Sequence, residues 1–107
     1  MKTKLPEINF VNCEEIRMGS PFNRCDIKIS REWAAKIDQG TWQDKMAKSP
    51  DGRKLALIRW DINDKNEPGF RVLTLDSNTG NIEVSNRVSG CCRTLVWTEK
   101  GLSWETA

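Results

Sequence analysis

Three carboxylates, Asp61, Asp64 and Glu67, fall within one polar stretch, Asp61-Ile62-Asn63-Asp64-Lys65-Asn66-Glu67. They are the densest candidate set in the chain for acting on another molecule. Oxygen ligands alternate at the start of the stretch in the manner of a calcium loop. Lys65 then stands where a third oxygen is needed, and the glycine and distal glutamate of an EF-hand are missing. What remains is a polar loop between two strands whose protruding carboxylates can stand in for phosphate and fill a basic nuclease cleft. Arg59 and Trp60, immediately before the loop, are the candidate flanking contacts.

Histidine is absent, which removes Ser-His-Asp and Cys-His triads, histidine acid-base pairs and histidine metal ligation together. Carboxylates, thiols and lysines are left. Glu14-Glu15 and the loop acids lie in polar sequence, without the apolar cleft that would shift their pKa values for general acid-base work. Cys13 and Cys25 lie far apart, and Cys91 and Cys92 are contiguous, so neither the C-x₂₋₄-C spacing of structural zinc nor a secreted disulfide framework is present. The expectation is four free thiols, no metal, no cofactor and no catalytic residue. Arg59, Arg71, Arg87 and Arg93 all fall on expected strands and would form a stripe across a sheet face, a second possible function through single-stranded nucleic acid. A metal- or thiol-dependent enzyme is the third.

These groups must be held by β-structure. Along Lys54 to Ile62, Ala56, Ile58, Trp60 and Ile62 alternate with Leu55, Leu57, Arg59 and Asp61, so both faces are partly apolar and the strand is central. Phe70 to Asp76, the turn Ser77-Asn78-Thr79-Gly80, and Asn81 to Val88 read as a hairpin. Cys92 to Glu99 and Leu102 to Thr106 form another, with Leu95, Trp97, Leu102 and Trp104 on its apolar side. In the first half, Ile8, Phe10, Ile16 and Met18 suggest two short strands flanking Asn12-Cys13-Glu14, and Cys25 to Ser30 alternates. Ser30 reads as a helix N-cap with Gly40 as its C′ residue. Trp33/Ile37 and Trp42/Met46 repeat at i, i+4, which predicts one helical segment near 31–47.

With 107 residues, 30% charged and 37% hydrophobic, the chain fits one domain over 1–107. Seventeen basic and fifteen acidic side chains leave a net charge of +2, with no basic tract to favour nucleic acid. Neither a signal peptide nor a membrane span is read, and the cytoplasm is the expected location. The fold expected is mainly β: an antiparallel β-sandwich or partly open barrel of seven or eight strands.

Ser49-Pro50-Asp51-Gly52-Arg53-Lys54-Leu55-Ala56-Leu57 resembles the turn and inner strand of a TolB- or WD40-type propeller blade. A propeller needs roughly four to eight blades of about 40 residues, so the likeness is local. In size, β-richness and lack of catalytic groups the whole chain resembles the small immunity proteins of bacterial contact-dependent growth inhibition systems. That resemblance implies a non-enzymatic inhibitor, a monomer binding one cognate toxin domain one to one and covering its active site. A nuclease toxin, of the ribonuclease A type, would suit Asp61, Asp64 and Glu67.

Overall fold

The computed structural model describes residues 4–37 and 40–107. Its elements run β1 (Asn9–Glu15), β2 (Asn23–Lys28), the helical turn α1 (Arg31–Ala34), β3 (Trp42–Lys48), β4 (Lys54–Trp60), β5 (Gly69–Asp76), β6 (Ile82–Val84), β7 (Val88–Ser89), β8 (Cys92–Thr98) and β9 (Gly101–Thr106). The protein is mainly β and wholly antiparallel: β1 to β6 pair in sequence order, β7 joins the free stretch of β5, and β8–β9 form a separate two-stranded sheet.

Strand β4 is the centre of this arrangement because its alternation leaves apolar residues on both faces. Leu55 and Leu57 join Leu73, Leu75, Trp42, Ile8 and Trp33 in one buried cluster. Ala56 and Ile58 join Phe70, Val72 and Cys92 in a second, covered by Leu95, Trp97, Leu102 and Trp104 of the β8–β9 hairpin. A sheet with two apolar faces requires a cover on each. The N-terminal segment and α1 provide one, the hairpin the other.

Each cover is fixed by a specific hydrogen bond as well as by apolar area. The indole N–H of the fully buried Trp33 donates to the Lys4 carbonyl at 2.7 Å, and Lys36, lying over that ring at 5.0 Å, donates to the Gly80 carbonyl at 2.8 Å. On the hairpin side, the wholly buried Gln43 donates through Nε2 to the Cys92 carbonyl at 2.6 Å and accepts at Oε1 from the Cys92 N–H at 3.2 Å. One side-chain amide thereby satisfies both backbone groups of a residue in the opposite sheet. Trp97 adds a second tie, its indole N–H reaching the Ala47 carbonyl at 2.8 Å.

The Ser49–Gly52 segment is a tight turn joining β3 to β4. Gly52 takes φ +74°, the Ser49 hydroxyl donates to the Asp51 carboxylate at 2.6 Å, and that carboxylate accepts from the Arg53 N–H at 3.0 Å. These two bonds, the Ser49 one foremost, lower the Asp51 pKa below its ordinary 3.8.

Several expectations are corrected. Among the described residues the helical segment near 31–47 is confined to α1, and Trp42–Lys48 is a strand; Asp38 and Gln39, also in that expected segment, lie outside the described residues. A spacing of four places Trp42 and Met46 on one face in either a helix or a strand, so the pattern did not discriminate. Gly40 lies well beyond the end of α1, and Ser30 contributes its carbonyl, not its side chain, to the first turn. The two short strands sought around Asn12 are one strand, β1, with its register shifted between Val11 and Glu14 and Asn12 at φ +54°. Met18 is fully exposed in the following turn. Asn81 to Val88 splits into β6 and β7, because the Ser85 hydroxyl accepts from the Val72 N–H at 2.8 Å and bends the chain away. Cys13 and Cys25 are disulfide-bonded, Cα to Cα 4.1 Å. The irregularity in β1 carries Cys13 against β2, a proximity that a separation of 12 residues does not announce.

Three measurements check these contacts. Gln43→Leu leaves two buried backbone groups at Cys92 without partners, and urea unfolding should show a loss on the order of 3 kcal/mol, from about 1–3 kcal/mol per orphaned group. Reduction of Cys13–Cys25 releases a short loop and should lower stability by about 3 kcal/mol, read as a drop in the urea midpoint with dithiothreitol present. Since the folded pKa of Asp51 is depressed, its contribution is present above its unfolded pKa and is lost as pH falls through the folded value. Asp51→Asn should therefore narrow its stability gap to wild type below about pH 4.

Candidate interaction loop

Residues 61–68 connect β4 to β5 and are shaped by side chains from three other parts of the chain. At the base, the Asp61 N–H donates to the Gly69 carbonyl at 2.7 Å, closing the loop at its neck. Within it, the Asn63 side-chain oxygen accepts from the N–H groups of Lys65 at 3.0 Å and Glu67 at 2.9 Å, an Asx-type turn that carries Asn66 into the left-handed region at φ +60°. From outside, Arg17 donates to the Asn66 carbonyl. Arg87 donates to the Asp61 carbonyl at 2.9 Å and the Glu67 carbonyl at 3.1 Å.

Gly69 makes the Arg87 contact possible. A Cβ there would lie 2.3 Å from the guanidinium carbon, so only glycine lets that side chain cross the loop neck.

The sequence-derived site residues separate into two groups. Asp61 is committed within the chain: its carboxylate accepts from Arg71 Nε at 2.8 Å and lies 4.0 Å from Arg87 Nε. Trp60 is 6% exposed and donates its indole N–H to the Asn23 carbonyl at 3.0 Å, so its ring belongs to the interior. Arg59 is half-buried, packed along Gly40. Asp64 and Glu67, by contrast, are exposed, and neither carboxylate forms an ion pair with another described residue. Ile62, 37% exposed, and Lys65 complete the outward surface of the loop.

The arginines of the supposed stripe do not form one row: Arg59, Arg71 and Arg87 lie near one another, and Arg93 lies apart. Arg59 and Arg71 are directly opposite on β4 and β5. Arg71 is held by Asp61 and the Ser85 carbonyl, and Arg87 is turned onto the loop neck. Arg93 stands on β8, in the other sheet, where the register slips between Cys92 and Thr94.

Of the free thiols, Cys92 is buried and Cys91 half-buried, and burial raises both pKa values above the ordinary 9.0. Arg17 partly offsets this at Cys91, and Lys45 does so at Cys92. Such thiols are protonated at neutral pH and are poor nucleophiles.

Sequence reasoning located the loop but not its frame. Asn63 carried a turn signal that was readable in principle, and Gly69 a weaker one. Arg17 and Arg87 gave none, since both act on carbonyl groups distant in sequence. No protein-family model matches the chain, nor does any curated protein or any solved structure.

The two classes of carboxylate should separate in stability. Asp61→Ala strips Arg71 of its partner at a partly exposed site and should cost about 1 kcal/mol, whereas Asp64→Ala and Glu67→Ala should stay within about 0.5 kcal/mol of wild type. Gly69→Ala should speed hydrogen exchange at residues 63–67 while leaving β4 and β5 amides unchanged, as mass spectrometry of deuterated peptides would show.

Proposed function

We propose that the chain is a non-enzymatic inhibitor that binds a cognate toxin domain and presents Asp64 and Glu67 to the basic cleft of a nuclease. The supporting observation is the pairing of exposed, uncommitted carboxylates with a loop already locked in shape by Asn63, Arg17 and Arg87. A loop ordered before binding loses less entropy on association, and carboxylates facing cationic side chains speed encounter and set register. Asp61 takes a structural part in this reading, as the anchor of Arg71, which leaves two phosphate substitutes where three were expected. Arg59 and Trp60 support the loop base rather than touch the partner.

The reading keeps the resemblance to immunity proteins of bacterial contact-dependent growth inhibition, with a monomer, a one-to-one complex and action in the cytoplasm. A reducing cytoplasm opens most disulfides, so this proposal requires inhibition to survive reduction of Cys13–Cys25. The loop contacts from Asn63, Arg71 and Arg87 do not involve that bond.

Co-purification with the product of the gene immediately upstream tests the proposal. The expected result is a stable one-to-one complex in which nuclease activity is silenced, with or without dithiothreitol. The Asp64→Ala/Glu67→Ala double variant should bind at least about 30-fold more weakly, the range of interface hot spots, with its melting temperature unchanged. Absence of any complex, together with oligonucleotide binding that weakens steeply as salt rises, would instead favour the nucleic-acid reading.

A further inference from the structure

We infer that the opening between the two sheets is a binding site for a neutral saccharide, separate from the interaction loop and independent of its proposed role. The hairpin is tied to the large sheet along its β8 side, through Gln43 and Trp97, and its β9 side has no such side-chain tie among the described residues. A groove of about 310 Å³ lies between the hairpin and the large sheet, within the usual size range of small-molecule sites.

One wall is Trp97, Leu102 and Trp104; the other includes Lys54, Thr74 and Glu83. Trp97 cannot swing away, since its N–H is held by the Ala47 carbonyl. Trp104, half-buried opposite Leu95 in the hairpin register, has no hydrogen-bond partner for its indole N–H among the described residues. Two indole faces, one of them held by its hydrogen bond, with an apolar neighbour suit the C–H face of a pyranose ring, a flat surface with no charge to desolvate.

The polar groups narrow the choice. Lys54, Thr74 and Glu83 lie on the same face of three successive strands, as the β4–β5 and β5–β6 registers require. Neither Lys54 nor Glu83 forms an ion pair with a described residue. An anionic ligand would meet the Glu83 carboxylate and a cationic one the Lys54 ammonium, each at a cost in a partly apolar groove. A neutral polyol satisfies both, accepting from the ammonium and donating to the carboxylate. Two inter-strand spacings and an offset of two residues along the strand put their Cα positions about 12 Å apart, which matches a disaccharide better than a single amino acid.

The test is a glycan array followed by isothermal titration and tryptophan fluorescence with the neutral disaccharides maltose, cellobiose and N,N′-diacetylchitobiose. At least one neutral glycan should bind and perturb the indole emission. Glu83→Ala, on an exposed three-residue strand, and Trp104→Ala should each weaken it by about tenfold or more, the scale of a lost hydrogen bond to a charged group. Glu83→Ala alone suffices should Trp104→Ala unfold the hairpin. An array on which no neutral glycan binds, a preference for sulfated or sialylated glycans, or affinity unchanged in Glu83→Ala would overturn the assignment. Toxin binding by the Glu83→Ala variant should be unchanged, so failure of the saccharide site is distinguishable from failure of the inhibitor reading.

Discussion

The structure depends on one buried amide. Gln43 is wholly enclosed, and both ends of its side chain are spent on the backbone of Cys92. Without that contact, the first residue of β8 would carry an unpaired N–H and C=O into the interior. Hydrophobic contact between Ile58, Phe70, Val72 and the hairpin tryptophans is non-directional and would permit the two-stranded sheet to slide or rotate over the large one. The amide sets its position, because a bidentate bond between groups that have lost access to water is costly to leave unmade. Gln43 in effect substitutes for the strand partner that β8 lacks on that side.

The ties made by Gln43 and Trp97 account for the asymmetry of the molecule. Both ties run between β3 and β8, and the groove beyond them leaves Trp97, Leu102 and Trp104 half-buried instead of sealed. Beyond Trp60, where β4 ends, a different solution operates. The loop from 61 to 68 has little apolar content to hold it, so its shape comes from arginines that donate to its carbonyls and from the Asn63 side chain. Exposed carboxylates on a braced loop and an open aromatic groove thus occur at different places in the molecule, for separate physical reasons.

Much of this was readable in the residues. The alternation of Leu55, Leu57 against Ala56, Ile58 specified a central strand with two covered faces, and Gly80 and Gly101 marked hairpins that the structure contains. Legibility failed where one spacing fits two periods, as at Trp42 and Met46, and where a contact joins residues distant in sequence. Nothing in the pattern tied Cys13 to Cys25, because the irregularity at Asn12 is what aligns them, and nothing marked Gln43 among neighbouring polar residues as an interior one. The loop was legible as a loop, yet its acids looked equivalent. Only the positions of Arg71 and Arg87 distinguish Asp61, which is held, from Asp64 and Glu67, which are not.

The central claim, that Gln43 makes the two sheets one cooperative unit, is tested most directly by residue-resolved amide exchange in the wild-type protein. The account predicts that the Cys92 amide, which has a side chain as its partner, exchanges only through global unfolding, as slowly as the amides of Leu57 and Leu73 in β4 and β5. Fast exchange at Cys92, with β4 and β5 still protected, would mean that the hairpin opens by itself and that the tether does not govern the fold.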